Sequence, residues 1–278
     1  MKRFQLLILT LLMACGVHAE VGYAMIIEGG DTVTVNNEDK FPMMSVFKLH
    51  QAIALCNLFD RTGQSLDSIV EIPRSELNPQ TWSPMLSDIP DSIISLPIRG
   101  LLNYALMLSD NNASNYLFNH IQSVKDADEY ISTLIPRESF RMKFTEDEMF
   151  ADHSLARGNH SSPLGAALLI EKLFTDSIIS PDHAEFLRTT LGSCQTGTDR
   201  ITAAFTDIPS VRIAHKTGSG FRDENGLLTA QNDVAFIELP DGRHVTIAIF
   251  VKDFNGDPQQ ASKLIESIAL SLRRRAGI

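Results

Sequence analysis

Apolar and polar residues alternate near both ends of this chain, whereas its middle repeats apolar positions every three to four residues. YAMIIEGGDTVTV reads as two short strands around a Gly29-Gly30-Asp31 turn. Near the other end VRIAHKTG, DVAFIEL and HVTIAIFVKD read as strands, the last two joined by the turn PDGR. Helical spacing runs over Ser45–Leu58, Pro97–Leu108, Ala113–His120, Ala127–Leu134, Pro163–Phe174 and Asp182–Leu191. Pro97 and Pro163 stand where a first helical turn accepts proline. A last helix over PQQASKLIESIALSLRRR puts Leu264, Ile265, Ile268, Ala269 and Leu272 on one face. The assembly predicted is α/β (α+β). A five-stranded antiparallel sheet, built from both chain ends and flanked by helices, lies beside an all-helical lobe. The α/β lobe takes residues 20–45 and 193–278 and the helical lobe 46–192, with a cleft between them as the natural site.

The first twenty residues, MKRFQLLILTLLMACGVHAE, break this pattern. Two early cations precede an apolar run from Phe4 to Val17, too short for an ordinary membrane span, and VHA before Glu20 suits a signal peptidase. Residues 1–19 therefore read as a signal peptide, with residues 20–278 as the exported catalytic domain. LMAC also resembles a lipoprotein box, which offers Cys15 as an alternative lipid anchor. No other segment reads as membrane-spanning.

With 44% hydrophobic residues and 21% charged, the 278-residue chain has material for a sizeable core. Its net charge of −10 and lack of an interior basic run argue against nucleic-acid binding. The RRR at Arg273–Arg275 ends a helical pattern, where cations suit the dipole. Cys56 and Cys194 sit in apolar surroundings; they read as small core residues, with a bridge between them left open.

Three short motifs carry chemistry. Ser45-Val46-Phe47-Lys48 places a hydroxyl and an amine on one helical face. Ser109-Asp110-Asn111 follows a helix, and Lys216-Thr217-Gly218 closes a strand. A chain of this length contains about one Ser-x-x-Lys by chance, so the first motif alone decides little. Together they supply a nucleophile, Ser45, beside a proton acceptor, Lys48. Ser109 can relay a proton to a leaving nitrogen, and Asn111 can pair with an amide. Lys216 offers a fixed positive charge for a carboxylate. Backbone amides at Ser45 and Ser219 would form an oxyanion hole. This is acyl transfer on an anionic amide.

Carried by FPMMSVFK, SDNNASN and HKTGSG, the chain from Val21 onward resembles a class A serine β-lactamase. His215 before Lys216, and the stretch NDVAFIELPDGR, resemble the cephalosporinase-type subclass A2. The resemblance implies hydrolysis of penicillins or cephalosporins through an acyl-enzyme, antibiotic resistance, a periplasmic or secreted monomer, and no metal or organic cofactor. His153 and His160 are not spaced as zinc ligands, and His215 reads as a packed strand residue. EDEMF matches the family's glutamate loop, which makes Glu146 the deacylation base and Asn115 the residue that braces the loop. Whether Lys48 or Glu146 is the acylation base stays open. Trp82 in TWSP matches the aromatic gatepost of the cleft. Arg200 in TGTDR resembles an arginine that helps Lys216 hold the substrate carboxylate, where Thr217 adds a hydroxyl.

Some features depart from the family or are borrowed from it. No helix is predicted ahead of the first strand unless residues 4–17 pack there. Phe144 stands where many members clamp the loop with arginine, and Phe150 where they hold the hydrolytic water with a polar side chain. The family often makes the bond after its loop glutamate cis, here Glu146–Asp147. Two rivals share the three motifs: a penicillin-binding carboxypeptidase or transpeptidase, and a β-lactam sensor domain that stays acylated.

Overall fold

A computed structural model of the protein describes residues 18–278. The signal segment, the Cys15 anchor and residues 4–17 as a substitute helix fall largely or wholly outside the described residues. Strands β1 (Glu20–Ile27) and β2 (Thr32–Val35) form the first hairpin, and a two-residue β3 (Phe41–Pro42) follows. Met44–Val46 makes a tight turn that runs into helix α1 (Phe47–Thr62), which ends at Gly63 in a left-handed conformation. Next come β4 (Ile69–Pro73), α2 (Pro84–Asp88), β5 (Ile93–Pro97), α3 (Ile98–Met107), α4 (Asn111–His120) and α5 (Val124–Ile131). The chain continues through β6 (Phe140–Arg141), α6 (Glu146–Ala151), β7 (His160–Ser161), α7 (Pro163–Thr175) and α8 (Pro181–Gly192). It closes with β8 (Arg212–Ser219), β9 (Leu228–Glu238), β10 (His244–Phe254) and α9 (Pro258–Arg275).

The main sheet is antiparallel in the order β2-β1-β10-β9-β8. Both chain ends contribute because β1 pairs with β10 along its whole length, from Glu20 opposite Lys252 to Ile27 opposite Val245. The alternation that marked these strands separates two cores. One face packs Ile247, Ile249 and Val251 against Ile265, Ile268 and Leu272 of α9; the other turns Ala248 and Phe250 toward the core shared with α1 and α7.

Several boundaries differ from the sequence reading. Strand β9 begins at Leu228, five residues before the predicted start at Asp233, since its polar residues Gln231, Asn232 and Asp233 are buried and used in hydrogen bonds. The β4–β5 hairpin was not predicted; its residues 69 and 93 are exposed, so the strands lack a clear alternation. Residues 146–151 form a helix instead of an open loop. Thr145 and Glu148 make a reciprocal cap there, and the Glu146–Asp147 bond is trans; the described residues contain no cis peptide. The expected cis bond is thus corrected, because a capped first turn needs ordinary trans geometry. Cys56 and Cys194 are both free thiols, so the bridge left open from sequence is absent.

Two close approaches fix the region ahead of Ser45. A side chain at Gly218 would lie 2.4 Å from the Met43 carbonyl oxygen, so β8 passes the turn only as glycine. From β9, Asn232 donates through Nδ2 to the carbonyls of Pro42 and Met43, at 2.8 and 3.1 Å. Across the cleft, buried Asp110 caps α4 by accepting from the Ala113 amide and also accepts from the Met85 amide and the Ser83 hydroxyl. Asp110→Ala would strand the Met85 and Ala113 amides together. It should cost about 2–4 kcal/mol in urea unfolding, while Asp110→Asn keeps part of the cap and loses less. A loss under about 0.5 kcal/mol for the alanine variant would contradict this account of the cap.

Candidate active site

Ser45 lies in the tight turn at the head of α1, preceded by Met44 at φ +45°. A left-handed conformation at a branchless but bulky residue costs about 1–3 kcal/mol and persists only where the surroundings enforce it. Here the Asn232 bonds and the Gly218 contact enforce it. Ser109 is likewise left-handed, at φ +61°, between α3 and α4. Both strained residues face one cavity of about 480 Å³, whose lining includes Ser45, Ser109, Asn111, Glu146, Thr217 and Ser219.

Lys48, the second residue of α1 and fully buried, organises the cavity floor. Its amine donates to Ser45 Oγ at 3.0 Å, to the Ser109 carbonyl at 2.7 Å and to Asn111 Oδ1 at 2.6 Å. Glu146 Oε1 lies 2.9 Å from the same amine and accepts from Ser45 Oγ at 3.1 Å. Ser45 therefore touches both groups named as its proton acceptors. Asn111 is committed on both sides, since its Nδ2 donates to Thr81 Oγ1. One amide hydrogen remains for a substrate.

Lys216, buried on β8, donates to Ser109 Oγ at 3.0 Å and to the Thr217 carbonyl. Burial pushes its ammonium down to about 7, against the attraction of Cys194. Thr217 Oγ1 shares a hydrogen bond with Thr196 Oγ1. Arg200 is no surface arginine: it is buried, and its guanidinium donates to the carbonyls of Gly218 and Asn232 and to Ser219 Oγ. It acts on the cavity through Ser219 rather than by lining it.

Phe144 leaves the glutamate loop without an arginine clamp, yet the loop is braced. Asn115 Oδ1 accepts from the Asp147 amide. Asn159 accepts from the amides of Lys143 and Phe144 and donates back to the Phe144 carbonyl. The Phe144 ring packs over Gly158, where an added Cβ would lie 2.4 Å from the ring. At the mouth, Trp82 is 63% exposed and donates its indole N–H to the Leu108 carbonyl, and Phe150 is 39% exposed. His153 stacks on Phe221, ring centres 3.9 Å apart, so the glutamate loop touches the β8–β9 connection across the entrance.

Sequence reading missed Asn159, Asn232, Thr196 and the His153–Phe221 pair. Only Thr196 carried a local signal, as the first residue of TGTDR; the others act through contacts distant in sequence.

A model of the beta-lactamase enzyme family matches residues 8–275. A β-lactamase of Phocaeicola vulgatus is 53% identical over 250 residues, covering 90% of this chain and 78% of that one. The extended-spectrum β-lactamase PER-1 of Pseudomonas aeruginosa is 31% identical, over 86% of this chain and 76% of its own. Among solved structures, a β-lactamase from Chitinophaga pinensis superposes with a TM-score of 0.86 at 34% identity, covering 93% of this chain and 94% of that one. A class A β-lactamase from Bacteroides cellulosilyticus gives 0.87 at 29% identity, over 96% and 95% of the two chains. With the Ser45–Lys48–Glu146 cluster in place on this fold, the chain belongs to the beta-lactamase enzyme family, in class A.

Proposed function

We propose that this enzyme hydrolyses the β-lactam amide of penicillins and cephalosporins through an acyl-enzyme on Ser45, and so confers antibiotic resistance. The observation that carries this reading is Glu146 Oε1 within hydrogen-bond reach of both Ser45 and Lys48. A penicillin-binding transpeptidase needs the serine and lysine but no carboxylate to activate water.

Ser45 Oγ attacks the lactam carbonyl, and its proton passes to Glu146, which already accepts from it, or to Lys48 once that amine has shed a proton, both about one hydrogen bond away. Backbone amides at Ser45 and Ser219 take the oxyanion. Ser109, hydrogen-bonded to Lys216, delivers a proton to the ring nitrogen as the C–N bond breaks and regains one from the proton that Ser45 released. Glu146, freed of that proton by its onward transfer to the ring nitrogen, then draws a proton from water, which attacks the ester, and returns it to Ser45 Oγ as the acyl–oxygen bond breaks. Lys216 holds the substrate carboxylate, with Thr217 and Ser219 beside it; Arg200 steadies Ser219 and adds positive charge. Trp82 flanks the entrance. Every one of these residues comes from a single chain, which supports action as a monomer. Among the described residues no helix is long and apolar enough to cross a membrane. The charged-then-apolar start of the sequence supports export to the periplasm with cleavage before Glu20, and HKTGSG supports the cephalosporinase-type subclass.

Phe150 cannot hydrogen-bond the attacking water. Losing one positioning bond raises the deacylation barrier by about 1–3 kcal/mol, roughly ten- to a hundredfold in rate. A chromogenic cephalosporin mixed rapidly with the protein should give a burst of about one equivalent followed by slower catalytic turnover. Phe150→Asn should shrink the burst and speed the steady state. A single burst without turnover means a receptor or transpeptidase, and fast turnover without a burst means that another group holds the water.

The carboxylate anchor sets a pH dependence. Only protonated Lys216 attracts an anion, and its ammonium in the free enzyme is held near 7. Accordingly kcat/KM should fall as pH rises through about 7, while kcat holds to higher pH because a bound carboxylate favours the charged amine. Lys216→Ala should remove this limb and cost about 2–4 kcal/mol in kcat/KM. A wild-type profile flat to pH 9, or an unchanged kcat/KM in the variant across several β-lactams, contradicts the assignment.

A further inference from the structure

Strand β9 carries a carboxylate where its pattern calls for an apolar side chain. A period of two puts Asp233 on the same face as Ala235 and Ile237, in the layer that Ile201, Ala204 and Phe205 cover. Asp233 is completely shielded from solvent, and His215 beside it is buried too. A carboxyl group in such a place is costly unless both of its oxygens find partners. Here Oδ1 meets His215 Nδ1 at 3.0 Å, and Oδ2 accepts from the Ile201 amide at 3.1 Å. The mechanism above does not use this joint.

The neighbours of its two partners give Asp233 a task. His215 precedes Lys216 on β8, and Ile201 follows Arg200, whose guanidinium donates to Ser219 Oγ. Consecutive Cα atoms keep a separation of about 3.8 Å, so holding one residue closely limits where the next can go. One buried carboxylate thereby ties the backbone beside Lys216 to the backbone beside Arg200. The Asn232 carbonyl, next along β9, accepts from Arg200 at 2.7 Å and grips the same segment. Nearer the cavity, Thr196 bonds to Thr217 and Arg200 to Ser219, so the two stretches meet again at the wall where substrate would lie. We propose that Asp233 is a positioning residue for the substrate carboxylate: by joining His215 to Ile201 it sets Lys216 and Arg200 in the relative places from which they act on that anion. The proposal rests on the reading of Lys216 as the carboxylate anchor, with Arg200 steadying Ser219 beside it.

Equilibrium binding tests this without turnover. On a Ser45→Ala background, calorimetric titration with a carboxylate-bearing cephalosporin should show affinity about tenfold weaker once Asp233→Ala is added. The ester of the same cephalosporin should bind both proteins alike. Asp233→Asn should restore affinity for the acid to within about threefold, because its oxygen can accept from the Ile201 amide while its nitrogen donates to a neutral imidazole. In the active enzyme, Asp233→Ala should raise KM for the acid about tenfold with kcat within about twofold. His215→Ala breaks the joint from β8 and should give the same split, which keeps the test open if the Asp233→Ala chain does not fold. Unchanged affinity for the acid in a folded alanine variant overturns the proposal. So does an equal loss for acid and ester, the mark of a merely structural role, or an asparagine variant as weak as the alanine one. Because binding is read without chemistry, a failed joint is distinguishable from a failed assignment of hydrolysis.

Discussion

One buried amine holds this active site together. Lys48 sits on α1 and is offered four oxygens from three other places: Ser45 in the turn before it, Ser109 and Asn111 across the cleft, and Glu146 on the glutamate loop. An ammonium has three hydrogens to give, so the four oxygens compete for them, and each is held within hydrogen-bond distance by its own attraction to one charge. Removing such a centre would leave Glu146 buried without its cation, the costly half of a broken buried pair. The braces elsewhere serve this point. Asp110 fixes the Ser109–Asn111 corner, Asn115 and Asn159 fix the glutamate loop, and Asn232 fixes the turn that carries Ser45.

The same logic explains where the backbone is strained. Met44 and Ser109 are non-glycine residues in the left-handed region, and each borders a catalytic group. Turning the chain sharply at these places aims Ser45 Oγ and the Ser109 carbonyl at the amine. The surrounding hydrogen bonds over-determine both turns. A second buried charge cluster, around Lys216, lies on the far side of Ser109, whose hydroxyl bridges the two lysines' territories. Two buried lysines are therefore linked through one serine, Lys48 to its carbonyl and Lys216 to its hydroxyl.

The main sheet and most helices were legible in the sequence, because burial on one face leaves a period of two or of about 3.6. The motif residues Ser45, Lys48, Ser109 and Lys216 were legible too, since each falls at an element boundary that the pattern marks. What could not be read was set by contacts distant along the chain. The first half of strand β9 holds buried Gln231, Asn232 and Asp233, whose burial depends on partners on α9, β3, β8 and the segment before it. The Glu146–Asp147 bond was expected to be cis from resemblance alone, whereas the local pattern Thr145-Glu146-Asp147-Glu148 already held the capping box that makes it helical and trans. Arg200 was read from resemblance as a partner of Lys216, but its burial and its bonds to the Gly218 carbonyl and Ser219 hydroxyl come from the fold.

The central claim is that Glu146, held by Lys48 and Ser45, turns an acylated serine over. Intact-mass measurement of Glu146→Gln after mixing with a β-lactam tests it most directly. The glutamine keeps a hydrogen-bonding oxygen near Lys48 and Ser45 but cannot take a proton from water. The prediction is a single covalent adduct mapping to Ser45 that persists long after the wild-type enzyme has returned to its free mass. A glutamine variant that clears its adduct as fast as wild type, or an adduct on any residue other than Ser45, would contradict the account.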